Sequence, residues 1–223
     1  MNVFLFDIDG TLLSSGGAGK AALEASLREE FGIELKTQVP YAGRTDRAIV
    51  RELLQVHGIV ETPATLERLL AGYLRRLPES LRTMKGRILP GVEQLMSLMR
   101  KHDGAAVGLL TGNVRAGASV KLAHFGLEEH FAFGGFGDNH FDRDDVAREA
   151  LAAVRCHRPT ALSEHMWVIG DTPLDVRCAR AIGARVLAVA TGFHSVHELA
   201  AAGPDLVLDD LSEPEPFLKL WVD

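Results

Sequence analysis

Three apolar runs in the sequence are each followed within a few residues by side chains that can carry out chemistry. Asp7 and Asp9 follow the first run, Thr111 follows the second, and Asp171 and Asp175 follow the third. If these runs are parallel strands of one sheet, their carboxyl ends lie along one edge, where ligands bind in open α/β folds. Carboxylates gathered there repel one another unless a divalent cation lies among them, and hard oxygen ligands suit Mg²⁺. The spacing therefore indicates a magnesium site at the edge of a sheet.

A fourth segment adds positive charge to the same predicted edge. The loop after "FAFGG" (131–135) contains Asp138, Asp142 and Arg143. Taken one at a time, the four segments have ordinary explanations, because strand-end turns, helix caps and salt bridges use the same residues. Their order along the chain favours the functional interpretation.

The glycine-rich segment "SSGGAGK" (14–20) raises a different possibility, a phosphate-binding loop. Such a loop needs the pattern G-x-x-x-x-G-K-[ST]. Ser14 stands in place of its first glycine, and Ala21 stands in place of the hydroxyl residue that would hold Mg²⁺. We therefore interpret 14–19 as a hinge and assign the phosphate chemistry to the aspartates.

The segments between these motifs predict the elements that must position them. Buried parallel strands are predicted at 3–6, 105–111, 131–135, 166–170, 185–190 and 205–208. Helical patterns separate most of them, at 91–102, 115–126, 144–155, 173–183 and 195–203. Strands and helices in alternation predict an α/β fold with a doubly wound parallel sheet.

One block interrupts this alternation with helical patterns only. Helices are predicted at 20–32, with Gly32 as the C-cap, at 45–58, with Thr45 as the N-cap, and from Pro63 to 77. We expect an inserted helical cap domain over 15–86 and a catalytic core over 1–14 and 87–223. The segments 14–19 and 86–91 would be its hinges.

Composition and charge narrow the range of partners and compartments. The 223 residues carry a net charge of −6, which disfavours a general binder of nucleic acid or anionic membranes. The two cysteines form no metal or disulfide pattern, so we expect reduced thiols in a cytoplasmic protein. Neither a signal peptide nor an apolar run long enough to span a membrane is evident.

Together the motifs DIDGT (7–11), TGN (111–113) and GDTPLD (170–175), each after a predicted strand, resemble those of the haloacid dehalogenase-like (HAD) phosphohydrolase superfamily. The chain is most similar to its helical-cap branch, which includes phosphoglycolate phosphatases and β-phosphoglucomutases. The resemblance covers nearly the whole chain and implies a Rossmann-like core with an inserted helical cap.

The resemblance also implies roles for the acidic residues. Asp7 would attack phosphorus and form an aspartyl-phosphate, and Asp9 would act as general acid and then as general base. Asp7, the backbone carbonyl of Asp9 and Asp171 would hold Mg²⁺. Asp175 would ligate the metal or order its waters.

Phosphate-binding roles follow from the same resemblance. Thr111 and the backbone N–H of Gly112 would hold the phosphoryl oxygens, and Asn113 would help to orient the substrate or the loop. The implied phosphate-binding set also includes Gly10 and Thr11 of the first motif.

The chain departs from the family at the basic residue that normally precedes the last motif. That residue is usually a lysine, but no lysine lies between Lys121 and the last motif. We place Arg143 in this role, with Arg148 as the alternative, because arginine keeps the charge and adds a bidentate geometry. Lys121 lies in the middle of a predicted helix, and we expect it on the solvated face.

The expected activity is Mg²⁺-dependent hydrolysis of a small phosphorylated metabolite, with phosphoglycolate suggested by the resemblance alone. In the predicted cap, Arg44 precedes a helix and could reach an anionic substrate, or could simply be solvated. A phosphomutase of the same branch and a binding protein without catalysis are the alternatives. No nucleic-acid or membrane partner is expected, and the protein would be a monomer or a homodimer.

Overall fold

The protein is described by a computed structural model covering residues 2–35, 37–101 and 104–219. Strands occur at β1 (Asn2–Phe6), β2 (Leu13–Ser14), β3 (Arg87–Ile88), β4 (Ala105–Leu110), β5 (Gly134–Gly135), β6 (Met166–Gly170), β7 (Arg185–Val189) and β8 (Leu206–Leu208). Helices occur at α1 (Ala18–Phe31), α2 (Asp46–Val56), α3 (Pro63–Thr83), α4 (Val92–Arg100), α5 (Arg115–His124), α6 (Arg143–His157), α7 (Pro173–Ala181), α8 (Val196–Ala201) and α9 (Pro214–Lys219).

Six strands form one sheet in the order β5-β4-β1-β6-β7-β8, and every neighbouring pair is parallel. The first strand lies in the middle because its five residues are all buried and can face helices on both sides. Its residues pair with β4 from Asn2↔Ala105 to Phe6↔Leu109 and with β6 from Val3↔Met166 to Phe6↔Ile169. The doubly wound parallel sheet predicted from the sequence is confirmed.

Alternate residues of β1 supply two separate apolar layers. Phe4 and Phe6 pack with α4 and α5 on one face, and Val3 and Leu5 pack with α6 and α7 on the other. Covering both faces fixes the register, because a slip by one residue would exchange the two sets. The register therefore also fixes where Asp7, the residue after β1, lies relative to the ends of β4 and β6.

The inserted helices α1–α3 have an apolar cluster of their own. Thr45 caps α2 by accepting the Ala48 N–H at 3.1 Å, and Thr62 caps α3 in a reciprocal pair with Thr65. α1 and α3 pack closely at Gly72, where a Cβ atom would lie 2.0 Å from Ser26 Oγ. The helices predicted in this block are confirmed, although α3 runs on to Thr83 instead of ending near residue 77.

A short antiparallel ribbon, absent from the sequence prediction, joins this block to the sheet. β2 pairs with β3 through Leu13↔Ile88 and Ser14↔Arg87. Each strand has two residues, too few to show an alternating pattern in the sequence. The ribbon lies within or beside the two segments that we predicted to be hinges.

The strand predicted over 131–135 is shorter than expected. Only Gly134 and Gly135 pair with β4. In the described residues, no helix is both long and apolar enough to cross a membrane.

Candidate active site

The sharp turn after β1 presents two carboxylates to a cavity. Asp7 continues the line of the strand, where its N–H donates to Ile169 O at 2.9 Å. Gly10 closes the turn with φ of 85°, which a residue with a Cβ atom rarely adopts, and its N–H donates to Leu13 O at 2.8 Å. Asp7 and Asp9 thus both line a cavity of about 600 Å³ between the carboxyl edge of the sheet and the inserted helices.

Asp7, Asp171 and Asp175 form a buried acidic triad where β1 and β6 end and α7 begins. Each offers a carboxylate oxygen, and the three oxygens lie within 4.8 Å of one another. Burial raises the pKa of Asp7 to about 6, with Arg143 acting against this rise and Asp175 adding to it. Burial and the two neighbouring carboxylates also raise the pKa of Asp171. The triad is therefore short of positive charge at neutral pH.

Arg143, the first residue of α6, supplies part of that charge. Its side chain is 3% exposed, and Nη2 lies 3.1 Å from Asp7 Oδ2 and 2.5 Å from Asp175 Oδ1. Nη1 donates to Gly43 O in the inserted block at 3.1 Å. The alternative, Arg148, lies 60% exposed and pairs with Asp145, so the geometry favours Arg143 for the basic role.

Asp175 has both of its carboxylate oxygens engaged by protein donors. Oδ2 accepts the Thr172 N–H at 3.0 Å and the Thr172 hydroxyl at 2.8 Å, and Oδ1 accepts Arg143. This arrangement caps α7 and leaves little capacity for direct metal binding. Of the two roles expected for Asp175, the indirect one fits the structure better.

Asp7 and Asp171 fit the requirements of a Mg²⁺ site. Thr11 Oγ1 lies within 3.3 Å of one oxygen of Asp171. Around the other oxygen, a Cβ atom on Gly10 would lie at 2.3 Å and one on Gly192 at 1.7 Å. Two glycines thus make room for a carboxylate beside Asp7, and buried carboxylate oxygens are the donor type that Mg²⁺ takes.

The TGN segment after β4 contributes Gly112 and Asn113 to the cavity lining, whereas Thr111 is fully buried. Asn113 Nδ2 donates to Asp9 Oδ2 and to Thr111 Oγ1, both at 2.9 Å. Gly112 touches the inserted block, because a Cβ atom there would lie 2.2 Å from Arg44 O. The segment therefore connects Asp9, the predicted phosphate site and the inserted helices.

Lys121 lies inside the site, so its predicted place on a solvated helix face was wrong. The residue is 4% exposed, and Nζ lies 2.5 Å from Asp9 Oδ2 and 2.6 Å from Asn113 Oδ1. Burial tends to raise the pKa of Asp9, but Lys121 and the hydrogen bonds outweigh it and hold the pKa low. A sequence signal existed, since 114, 118, 121 and 122 share one helix face and the other three residues are apolar.

Arg44 lies at the cavity, but its guanidinium is engaged elsewhere. It donates to Glu52 at 2.5 Å, to Pro40 O at 3.0 Å and to Ala48 O at 3.3 Å. Contact with an anionic substrate would require these bonds to break. The role suggested for Arg44 stays a prediction.

Comparisons with known proteins agree with this fold. Residues 4–180 match the sequence model of a family described as haloacid dehalogenase-like hydrolase. A phosphoglycolate phosphatase from Synechococcus elongatus is 29% identical over 216 residues, which cover 96% of this chain and 95% of that protein. A hydrolase from Pseudomonas syringae superposes with a TM-score of 0.73 at 23% identity, over 98% of each chain. CbbY from Rhodobacter sphaeroides, in complex with phosphate, superposes with a TM-score of 0.77 at 17% identity, over 96% of each chain.

Proposed function

The chain belongs to the haloacid dehalogenase-like hydrolase family, and on this basis we propose that it is a Mg²⁺-dependent phosphatase of small phosphomonoesters. The observation that carries the proposal is the buried pair Asp7 and Asp171 beside Asp9, at the base of a cavity of about 600 Å³. The proposed intermediate is an aspartyl-phosphate on Asp7. Phosphoglycolate, the substrate named for the Synechococcus relative, belongs in the first panel of test esters.

Asp7 is the proposed nucleophile. Its carboxylate would attack phosphorus as the bond to the leaving oxygen breaks, and the phosphoryl group would pass to the aspartate oxygen. Mg²⁺ would be held by the carboxylates of Asp7 and Asp171 and by the backbone carbonyl of Asp9. There it would supply positive charge that offsets the repulsion between carboxylate and phosphate. Arg143 holds the Asp7 oxygen at 3.1 Å and orients it for that attack.

Asp9 is the proposed acid and base. It would donate a proton to the leaving oxygen in the first step and accept one from the attacking water in the second. The contacts from Lys121 and Asn113 fix its carboxylate at the cavity wall. Because Lys121 lowers its pKa, the ionised form needed for the second step is the form that the resting site favours.

Developing charge on the phosphoryl oxygens needs donors that are already in place. The Thr111 hydroxyl and the Gly112 N–H are the proposed donors. Gly10 lines the same cavity, and Thr11 is fully buried with its hydroxyl 3.3 Å from Asp171. In the structure the Thr111 oxygen accepts from Asn113, which leaves its own hydrogen available for a phosphoryl oxygen.

Residues 15–86 are the proposed cap, and 1–14 with 87–223 the proposed catalytic core. The β2–β3 ribbon at Ser14 and Arg87 and the separate apolar cluster of α1–α3 support these limits. The cap would exclude bulk water from the phosphoryl site. Free thiols at Cys156 and Cys178 support the proposed cytoplasmic location.

Phosphate release tests the proposal. The assay uses p-nitrophenyl phosphate and a metabolite panel, with Mg²⁺ and with EDTA. It compares wild type with Asp7→Asn and with the control Asp142→Asn. Asp142 caps α6 and lies outside the triad. We expect Mg²⁺-dependent turnover that Asp7→Asn abolishes and Asp142→Asn keeps. A requirement for a bisphosphate activator would indicate a phosphomutase instead, and well-folded protein with no release from any ester would refute the proposal.

A further inference from the structure

The wall that the inserted helices contribute to the cavity has an unusual set of polar groups. The chain contains two tyrosines, Tyr41 and Tyr73, and both line the cavity. Both hydroxyl groups are buried and have no hydrogen-bond partner among the described residues. A buried hydroxyl without a partner costs free energy until something binds it, so these groups point to a ligand that supplies acceptors or donors.

Asp46 brings a carboxylate to the same wall. It is 7% exposed, and one oxygen accepts the Val114 N–H at 2.9 Å. Across the described chain, the other oxygen has no hydrogen-bond donor. Asp46, Tyr73 and the proposed acid Asp9 all line this cavity. Burial raises the pKa of Tyr73, and the charges of Asp46 and Asp9 add to that rise.

The cations on this wall offset the charge of Asp46 only in part, because Lys121 lowers its pKa but burial outweighs Lys121 and raises it to about 6. Lys20 lies 3.8 Å from Glu24, and Arg44 lies 2.5 Å from Glu52. Lys121 gives its short contacts to Asp9 and Asn113. Among the described residues no cation forms an ion pair with Asp46, so a second negative charge on a substrate would meet a carboxylate that is only partly neutralised.

We propose that this cavity selects phosphate esters whose leaving group carries hydroxyl groups and no second negative charge, with Asp46 and Tyr73 as specificity-determining residues. Hydroxyl groups can donate to the free Asp46 oxygen and accept from Tyr73, whereas a carboxylate in that place would be repelled. The cavity of about 600 Å³ also exceeds what a two-carbon ester would fill. This inference rests on the proposed phosphatase function and distinguishes the substrate from phosphoglycolate.

The test uses two esters that differ in one group. 2-Hydroxyethyl phosphate and phosphoglycolate share the phosphate and the chain length, but one ends in a hydroxyl and the other in a carboxylate. Phenyl phosphate, which lacks both groups, measures catalysis alone. Assays are run with saturating Mg²⁺ at pH 8, where Asp46, whose pKa burial raises to about 6, is ionised.

We expect wild-type kcat/KM to be about tenfold or more higher for 2-hydroxyethyl phosphate than for phosphoglycolate. Asp46→Asn should bring the two values to within about threefold, mainly by improving phosphoglycolate. The matched control is Asp138→Asn. Asp46 accepts the N–H of Val114, and Asp138 accepts the N–H of the next residue, Arg115, at 2.8 Å. Asp138 does not line the cavity. Asp138→Asn should leave the ratio unchanged.

Tyr73→Phe provides a second test that does not depend on the folding of Asp46→Asn. It should raise KM for 2-hydroxyethyl phosphate about fivefold with little change in kcat, and leave phenyl phosphate unaffected. A wild-type preference for phosphoglycolate, or an unchanged ratio in well-folded Asp46→Asn, would overturn the inference while the phosphatase function stands. Failure to hydrolyse any ester would overturn the proposed function and this inference with it.

Discussion

Replacing Arg143 by methionine should make the stability of the protein depend more strongly on Mg²⁺. The change removes the cation that contacts Asp7 and Asp175 and keeps a side chain of similar length. Loss of one partner from a buried ion pair costs roughly 3–5 kcal/mol, because the remaining charges stay buried without compensation. In a chain of this size that corresponds to a fall in Tm of about 10 °C.

The sign of the pH dependence follows from Asp7. Its pKa rises from 3.8 to about 6 on folding, so its ionisation destabilises the folded state as pH rises through that window. Arg143 opposes this rise, so its removal raises the folded-state pKa of Asp7 further and extends the upper end of the window. We therefore expect a larger deficit for Arg143→Met at pH 8 than at pH 5, where a proton can replace the lost charge.

Thermal unfolding in EDTA and in Mg²⁺ measures both effects. Mg²⁺ at a hundred times its Kd contributes about 2.7 kcal/mol, and should restore much of the loss in Arg143→Met. The control is Arg148→Met on the same helix, whose side chain is 60% exposed and whose removal should cost less than about 1 kcal/mol. Equal stability of the two variants in EDTA at pH 8, or no gain from Mg²⁺, would refute the electrostatic account of the triad.

Three further changes test other contacts. Lys121→Met should lower kcat about tenfold or more in phosphate-release assays, because Asp9 loses the cation that positions it. Its stability should change little, since the Asp9 side chain is 38% exposed and can hydrate. An unchanged kcat would contradict this. Gly112→Ala would place a methyl group 2.2 Å from Arg44 O, so urea unfolding should show a loss of about 1–3 kcal/mol, and wild-type stability would contradict the close packing. Burial raises the pKa of Asp46 from 3.8 to about 6, so ionisation of Asp46 destabilises wild type as pH rises. The stability of Asp46→Asn relative to wild type should therefore rise by up to about 3 kcal/mol from pH 4 to pH 7. The same difference in stability between the two proteins at both pH values would contradict the raised pKa.

The sheet was predictable because local and long-range preferences agree. A run such as 3–6 is apolar on both faces, forms strands readily and ends at a turn, so the buried central strand follows from the sequence. The cap at Thr45 and the first-turn proline Pro63 were equally local, since each depends on residues within one helical turn. Gathering the aspartates at one edge then required only the rule that parallel strands share a carboxyl end.

The missed features depend on contacts between residues more than one helical turn apart. Lys121 meets Asp9 across 112 positions, and burial of a lysine is unfavourable unless such a partner exists, so a local pattern favours the wrong face. The orientation of Arg44 depends on Glu52, and the engagement of both Asp175 oxygens depends partly on Arg143. Sequence patterns place these residues on elements but do not pair them.

The β2–β3 ribbon has a consequence for how the chain accommodates its insertion. Ser14 and Arg87 are paired across adjacent strands, so the point where the chain leaves the sheet and the point where it returns are neighbours. An ordinary hairpin turn could join the same two strands. Since loop-closure entropy grows only slowly with length, a long excursion between fixed ends adds little to the cost of closing such a turn. We therefore expect the strand order of the six-stranded sheet to be independent of the segment inserted between β2 and β3. Helices of another length or sequence could replace α1–α3 without a change in that order.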